Sequence, residues 1–153
     1  MVILGVDPGT ASTGYGIVTA EGSRLRPVAC GCVRTDAGTP LEERLAAIAR
    51  AIDALIAEHA PTARAVEGVY VGGEDGAGMR GVAVAEYAVS EIKTAVCGYG
   101  RADKRQVQTM VAAVLGMDAP PASEHEADAL AAAVCHASQA PLAASLRRAG
   151  VRA

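Results

Sequence analysis

The sequence predicts an α/β fold built on a sheet of mixed direction. Three observations carry this. The first stretch, to about residue 34, reads as short apolar or alternating runs joined by brief turns. The apolar period then changes to that of helices, with cap residues ahead of it. Two further strand-like runs interrupt the helical part, so the helices lie on the faces of one mixed sheet.

Taken in order, Val2 to Val6 is an apolar run ended by Asp7-Pro8-Gly9-Thr10, a buried strand opening into a turn. Thr13 to Thr19 alternates, and Arg26 to Arg34 is rich in Val and Cys. The short linkers predict an antiparallel meander of these three strands. Thr39-Pro40-Leu41-Glu42 predicts a helix start with Thr39 as N-cap and proline at the first helical position. Leu41, Leu45, Ile48, Ile52 and Leu55 form one apolar stripe, and the helix should stop near His59, before Pro61. Arg64 to Val71 and Val82 to Tyr87 predict strands. A helix from Ser90 to about Val96 follows. Capping boxes at Asp103–Gln106 and at Ser123–Glu126 open two more, the last running through Ala137. Between Tyr70 and Val82 lie only eleven residues, five of them glycine. Parallel neighbours need a crossover of about a dozen residues or more, usually helical, and glycine forms helix poorly.

Composition limits the rest. The 153 residues predict one domain, residues 1–153. The chain has 34 Ala and 17 Val but only 15 Ile plus Leu, and neither Phe nor Trp, so its core is built from small side chains. No apolar run approaches the ~18 residues that span a membrane. The opening apolar run lacks a basic flank and reads as a strand, not as a signal peptide. The net charge of −3 offers no global argument for nucleic acid. Arg101, Lys104 and Arg105, and the acid-free tail with Arg147, Arg148 and Arg152, are local basic patches that suit phosphate or a solvated surface equally. Cys30, Cys32, Cys97 and Cys135 contain no C-x-x-C pair and read as small buried hydrophobes of a reducing cytoplasm, with a zinc site as the alternative; Cys30 and Cys32 point to one side of their strand.

Chemistry concentrates at three places. Asp7 ends a strand beside Gly9 and Gly14, where backbone can be approached closely, as a metal site or a self-capped turn would require. Glu67 interrupts an apolar strand and needs either a partner or solvent. Glu124-His125-Glu126-Ala127-Asp128 opens a helix, where acids also complement the dipole; His125 and Asp128 share a face. An Asp at a strand end, a Glu on a second strand and a His/Asp pair on a late helix suit two divalent metals clamping a phosphodiester.

Gly5-Val6-Asp7-Pro8-Gly9-Thr10 with Thr13-Gly14-Tyr15-Gly16 resembles the opening of the RuvC family of bacterial Holliday-junction resolvases. Ala65-Val66-Glu67-Gly68-Val69-Tyr70 is similar to the family's second acidic strand, and Glu126-Ala127-Asp128-Ala129-Leu130-Ala131 to its last acidic helix. Glu86-Tyr87 through Ile92-Lys93, and Lys104 to Val111, resemble the segments between them. The resemblance implies an RNase H-like fold and cleavage of four-way DNA junctions in recombination and repair. It implies two Mg²⁺ ions, or Mn²⁺, per site, action as a homodimer, and association with RuvA and RuvB. Position by position, Asp7, Glu67 and Asp128 match metal-binding catalytic residues, and His125 stands where relatives carry Asp or His. Tyr70 matches an aromatic that contacts bases; Lys93 and Lys104 match DNA-contacting lysines, with Arg101 and Arg105 beside them. Val71 to Gly81 replaces a longer helical stretch of the family. That departure predicts a monomer or a dimer on another interface. It also keeps a second reading in view, a shortened or engineered scaffold that binds junctions without cutting them. An actin-like or hexokinase-like ATPase, whose phosphate loop opens similarly, would need two lobes.

Overall fold

Five strands form one sheet in the order β3-β2-β1-β4-β5 in the computed structural model, which describes residues 1–68 and 84–148, with side chains through residue 140. β1 (Val2–Asp7), β2 (Ser12–Glu21) and β3 (Arg24–Arg34) are the expected antiparallel meander. β4 (Ala63–Glu67) lies parallel to β1, and β5 (Val84–Tyr87) parallel to β4. The sheet is therefore mixed. Tyr70, the Val71–Gly81 stretch and the first two residues of the run from Val82 lie outside the described residues, as do the side chains of Arg147 and Arg148, and Arg152.

Register decides which side chains meet. Ile3 pairs with Ala63 and Gly5 with Ala65, so Ile3, Gly5, Asp7, Ala63, Ala65 and Glu67 share one face. Ala65 pairs with Ala85 and Glu67 with Tyr87, which extends that face to β5. α4 (Glu124–Arg148) lies across it, and α2 (Val89–Cys97) and α3 (Lys104–Leu115) pack on the outer side of α4. Every residue from Ala129 to Cys135 is buried, so this part of α4 is apolar all round, as a central helix must be. Five of its buried residues are alanines (Ala127, Ala129, Ala131, Ala132 and Ala133), which is where the small-residue composition goes.

That closeness needs glycine beneath the helix. A Cβ at Gly5 would stand 1.9 Å from the Ala129 carbonyl oxygen, and one at Gly14 2.0 Å from that of His125. The expectation that Gly14 leaves room for a ligand is thus corrected. The first turn of α4 occupies the space.

Other elements depart in detail. α1 (Leu41–His59) starts after Pro40, which has no side-chain cap, and not after a capping Thr39. The Thr39 amide is used in a turn, donating to the Asp36 carbonyl at 3.1 Å, while Gly38 N–H donates to the Asp36 carboxylate. The apolar stripe of α1 is present, yet no residue of the helix is buried, and Leu41 and Leu45 are about half exposed. α4 takes the face where the main cluster forms, and α1 touches the other described elements only sparsely. α2 begins at Val89, one residue early, because Glu91 reaches back to accept from the Ala88 amide at 2.8 Å. The Asp103–Gln106 box forms as expected, with bonds of 2.8 and 2.9 Å. Ser123 caps α4 through the Glu126 amide at 3.2 Å, but the Glu126 carboxylate bonds Ala122 instead of Ser123. α4 runs to Arg148, past the expected end at Ala137 and through Pro141, which removes one helical donor without ending the helix. Of the cysteines, Cys135 is buried; Cys30, Cys32 and Cys97 are half-buried, and all four are free thiols. Cys30 and Cys32 do share a face, both against Glu126.

Candidate active site

The two acidic strands and the acidic helix come together at one end of the sheet. Asp7 ends β1 and Glu67 ends β4, adjacent parallel strands, on the face that α4 covers. The first turn of α4 passes over Gly14, the cross-strand partner of Asp7, and this brings His125 to Asp7: Nδ1 stands 2.7 Å from Oδ2. The Asp7 side chain is 16 % exposed and that of His125 47 %, so the pair sits at a rim with the carboxylate inside.

Asp128, one turn further along α4, completes the group. Burial and then the nearby Asp7 carboxylate raise its proton affinity above that of an ordinary aspartate. Glu67 is pushed up to about 7, first by burial and then by the charges of Asp128 and Asp7. Three carboxylates thus feel one another in a half-buried place, an arrangement that favours protons or cations. Lys93 and Lys104 act in the opposite sense on Glu67, so both ammonium groups stand near the cluster. Lys104 pairs with Glu124, which raises the lysine's proton affinity, and its charge also reaches Asp128. Glu124 therefore faces Lys104 while His125 faces Asp7. Arg101 and Arg105 are exposed around the start of α3.

A metal fit can be read from this donor set. Carboxylates are the ligands of hard divalent cations, and an imidazole among them extends the range towards Mn²⁺. As the side chains stand, no three His, Cys, Asp or Glu among the described residues converge closely enough to share one ion. The electrostatics nevertheless fit a cation, since Glu67 and Asp128 are each held against a neighbouring carboxylate's charge.

One feature of the site was not legible in the sequence. The turn after Asp7 is bonded to Thr35, beyond the end of β3, and to Arg44 on α1. Arg44 looked like an ordinary charge between Glu43 and Leu45, and no spacing rule links it to Asp7.

Fold and site together define an RNase H-like protein with an acidic cluster at the ends of its two central strands. The chain belongs to the RuvC family: the family profile described as "Crossover junction endodeoxyribonuclease RuvC" matches residues 3–136. A relative of that name from Alkalilimnicola ehrlichii is 46 % identical over 163 aligned residues, covering 97 % of this chain and 98 % of the relative. Another from Desulfitobacterium hafniense is 45 % identical, covering 90 % and 92 %. The solved structure of Thermus thermophilus RuvC superposes with a TM-score of 0.80 at 30 % identity, covering 94 % of this chain and 97 % of that one. The same protein in complex with Holliday junction substrate gives 0.83 at 31 % identity, covering 94 % and 96 %.

Proposed function

We propose that this chain is an endonuclease that cuts four-way DNA junctions, with Asp7, Glu67, His125 and Asp128 as its catalytic centre. The observation that carries the reading is the convergence of three mutually repelling carboxylates on the α4-facing side of the sheet, in a chain of this family. Asp7, Glu67 and Asp128, with His125, would hold two Mg²⁺ or Mn²⁺ ions. Bound there, the cations supply Lewis-acid stabilisation of the phosphate and a water of lowered pKa.

The chain's own residues do the positioning. β1 and β4 are central strands and α4 is the buried central helix, so the four side chains project from rigid elements. His125 holds the Asp7 carboxylate by their hydrogen bond. Lys93 and Lys104 flank the cluster and, with exposed Arg101 and Arg105, attract the phosphate backbone on either side of the cut. Lys104 exchanges Glu124 for a phosphate as DNA arrives. Tyr70 offers a π-face to a base at the junction centre. RuvA and RuvB are the partners this reading carries, and the cytoplasm its place.

The test is Asp7→Asn with a synthetic four-way junction. It removes a ligand charge and no phosphate contact. Cleavage in Mg²⁺ or Mn²⁺ should be lost while a gel shift in EDTA persists. Cleavage by Asp7→Asn at the wild-type rate would refute the assignment.

A further inference from the structure

The turn that follows Asp7, Pro8–Ala11, is held by a closed set of hydrogen bonds from Thr35, one pair beyond the end of the β2–β3 ladder, and from Arg44 on α1. Thr35 Oγ1 donates to the Thr10 carbonyl, and Thr35 N–H donates to the Ala11 carbonyl at 3.1 Å. Arg44 Nη2 donates to the same Thr10 carbonyl at 2.7 Å, and its Nε to Thr35 Oγ1 at 3.0 Å. The donors and acceptors balance: the Thr35 hydroxyl gives its one proton and accepts one, and Thr10 uses both carbonyl lone pairs. From the inner side, Thr13 Oγ1 donates to the Gly9 carbonyl at 2.7 Å, and a Cβ at Gly9 would stand 2.4 Å from the Ser12 carbonyl oxygen. The turn is tight and bonded on both sides.

Arg44 is the α1 side chain that reaches this turn. It is half-buried on α1, and its guanidinium reaches from that helix to the turn. Only a planar fork satisfies two acceptors at fixed spacing; a lysine ammonium on the same stem would satisfy them one at a time. We propose that Arg44, acting with Thr35, is a positioning residue for the catalytic centre: it fixes the turn after β1 and so the direction in which Asp7 presents its carboxylate. The inference rests on the reading of Asp7 as a metal ligand.

Arg44→Lys, Thr35→Val and Thr35→Ser test it. Direct Mn²⁺ titration followed by the spin-resonance signal of free Mn²⁺, without DNA, is the primary readout. Supporting groups behind metal ligands typically contribute 10–100-fold to affinity. Arg44→Lys and Thr35→Val should each weaken Mn²⁺ binding about 10-fold, and Thr35→Ser, which keeps the hydroxyl, should restore it. Junction affinity in EDTA and the circular-dichroism melting transition should stay close to wild type. Unchanged Mn²⁺ affinity in both variants would overturn the proposal. So would loss of junction affinity in EDTA with Mn²⁺ affinity intact, since Arg44 would then be a DNA contact. Wild-type protein that binds Mn²⁺ but neither binds nor cuts a junction would instead overturn the functional reading.

Discussion

Replacing Glu67 by Gln should abolish cleavage and make the metal-free protein more stable. Glu67 has its proton affinity pushed from an ordinary 4.5 to about 7, by burial first and then by Asp128 and Asp7. A group whose native pKa lies above its unfolded value costs stability where it is forced to ionise. Between those two values the native state binds more protons than the unfolded state, so stability falls as pH rises. The cost is absent below about 4.5 and complete above about 7. The rise corresponds to roughly 3 kcal/mol. Glu67 is only half-buried, so solvent screening removes about half, leaving ~1.5 kcal/mol. Urea unfolding in EDTA should therefore show Glu67→Gln more stable than wild type by ~1–2 kcal/mol at pH 8, a melting shift of roughly 2–8 °C. At pH 4.5 the gain should vanish. Added Mg²⁺ should reverse the order at pH 8, because the cation stabilises only the protein with its full ligand set. No gain at pH 8, or an equal gain at both pH values, would refute the claim that burial and the neighbouring carboxylates raise the proton affinity of Glu67.

Three further outcomes follow from the site. Lys93→Ala and Lys104→Ala should each weaken junction binding and lower the log–log salt slope by about 0.9; an unchanged slope would place these lysines on a merely solvated surface. His125→Asp should shift the Mn²⁺/Mg²⁺ activity ratio towards Mg²⁺, since a hard carboxylate replaces imidazole, and an unchanged ratio would remove His125 from the ligand set. Gly14→Ala puts a Cβ 2.0 Å from the His125 carbonyl oxygen, so it should destabilise by ~1–3 kcal/mol and impair cleavage by displacing the start of α4; wild-type stability would show that α4 does not press on β2 there.

The strand meander, the amphipathic period of α3 and the Asp103 box were legible because they depend on neighbours in the chain: alternation, short turns and cap chemistry are local. The candidate residues Asp7, Glu67, His125 and Asp128 were legible too, since charge inside apolar strands and at a helix start stands out from its surroundings. Their convergence was a different matter. It required β4 to lie parallel to β1 in the register that puts Glu67 on the Asp7 face, and α4 to descend onto Gly5 and Gly14. A one-residue slip in that pairing would send Glu67 to the opposite face. The stripe of α1 was legible, but not its fate. Periodicity shows that a helix has an apolar side, and only packing decides whether that side is covered. Arg44 marks the limit most sharply: its partners Thr10 and Thr35 lie 34 and 9 residues away in the chain, and no local pattern encodes a bond that exists only once α1, β3 and the Asp7 turn have met in space.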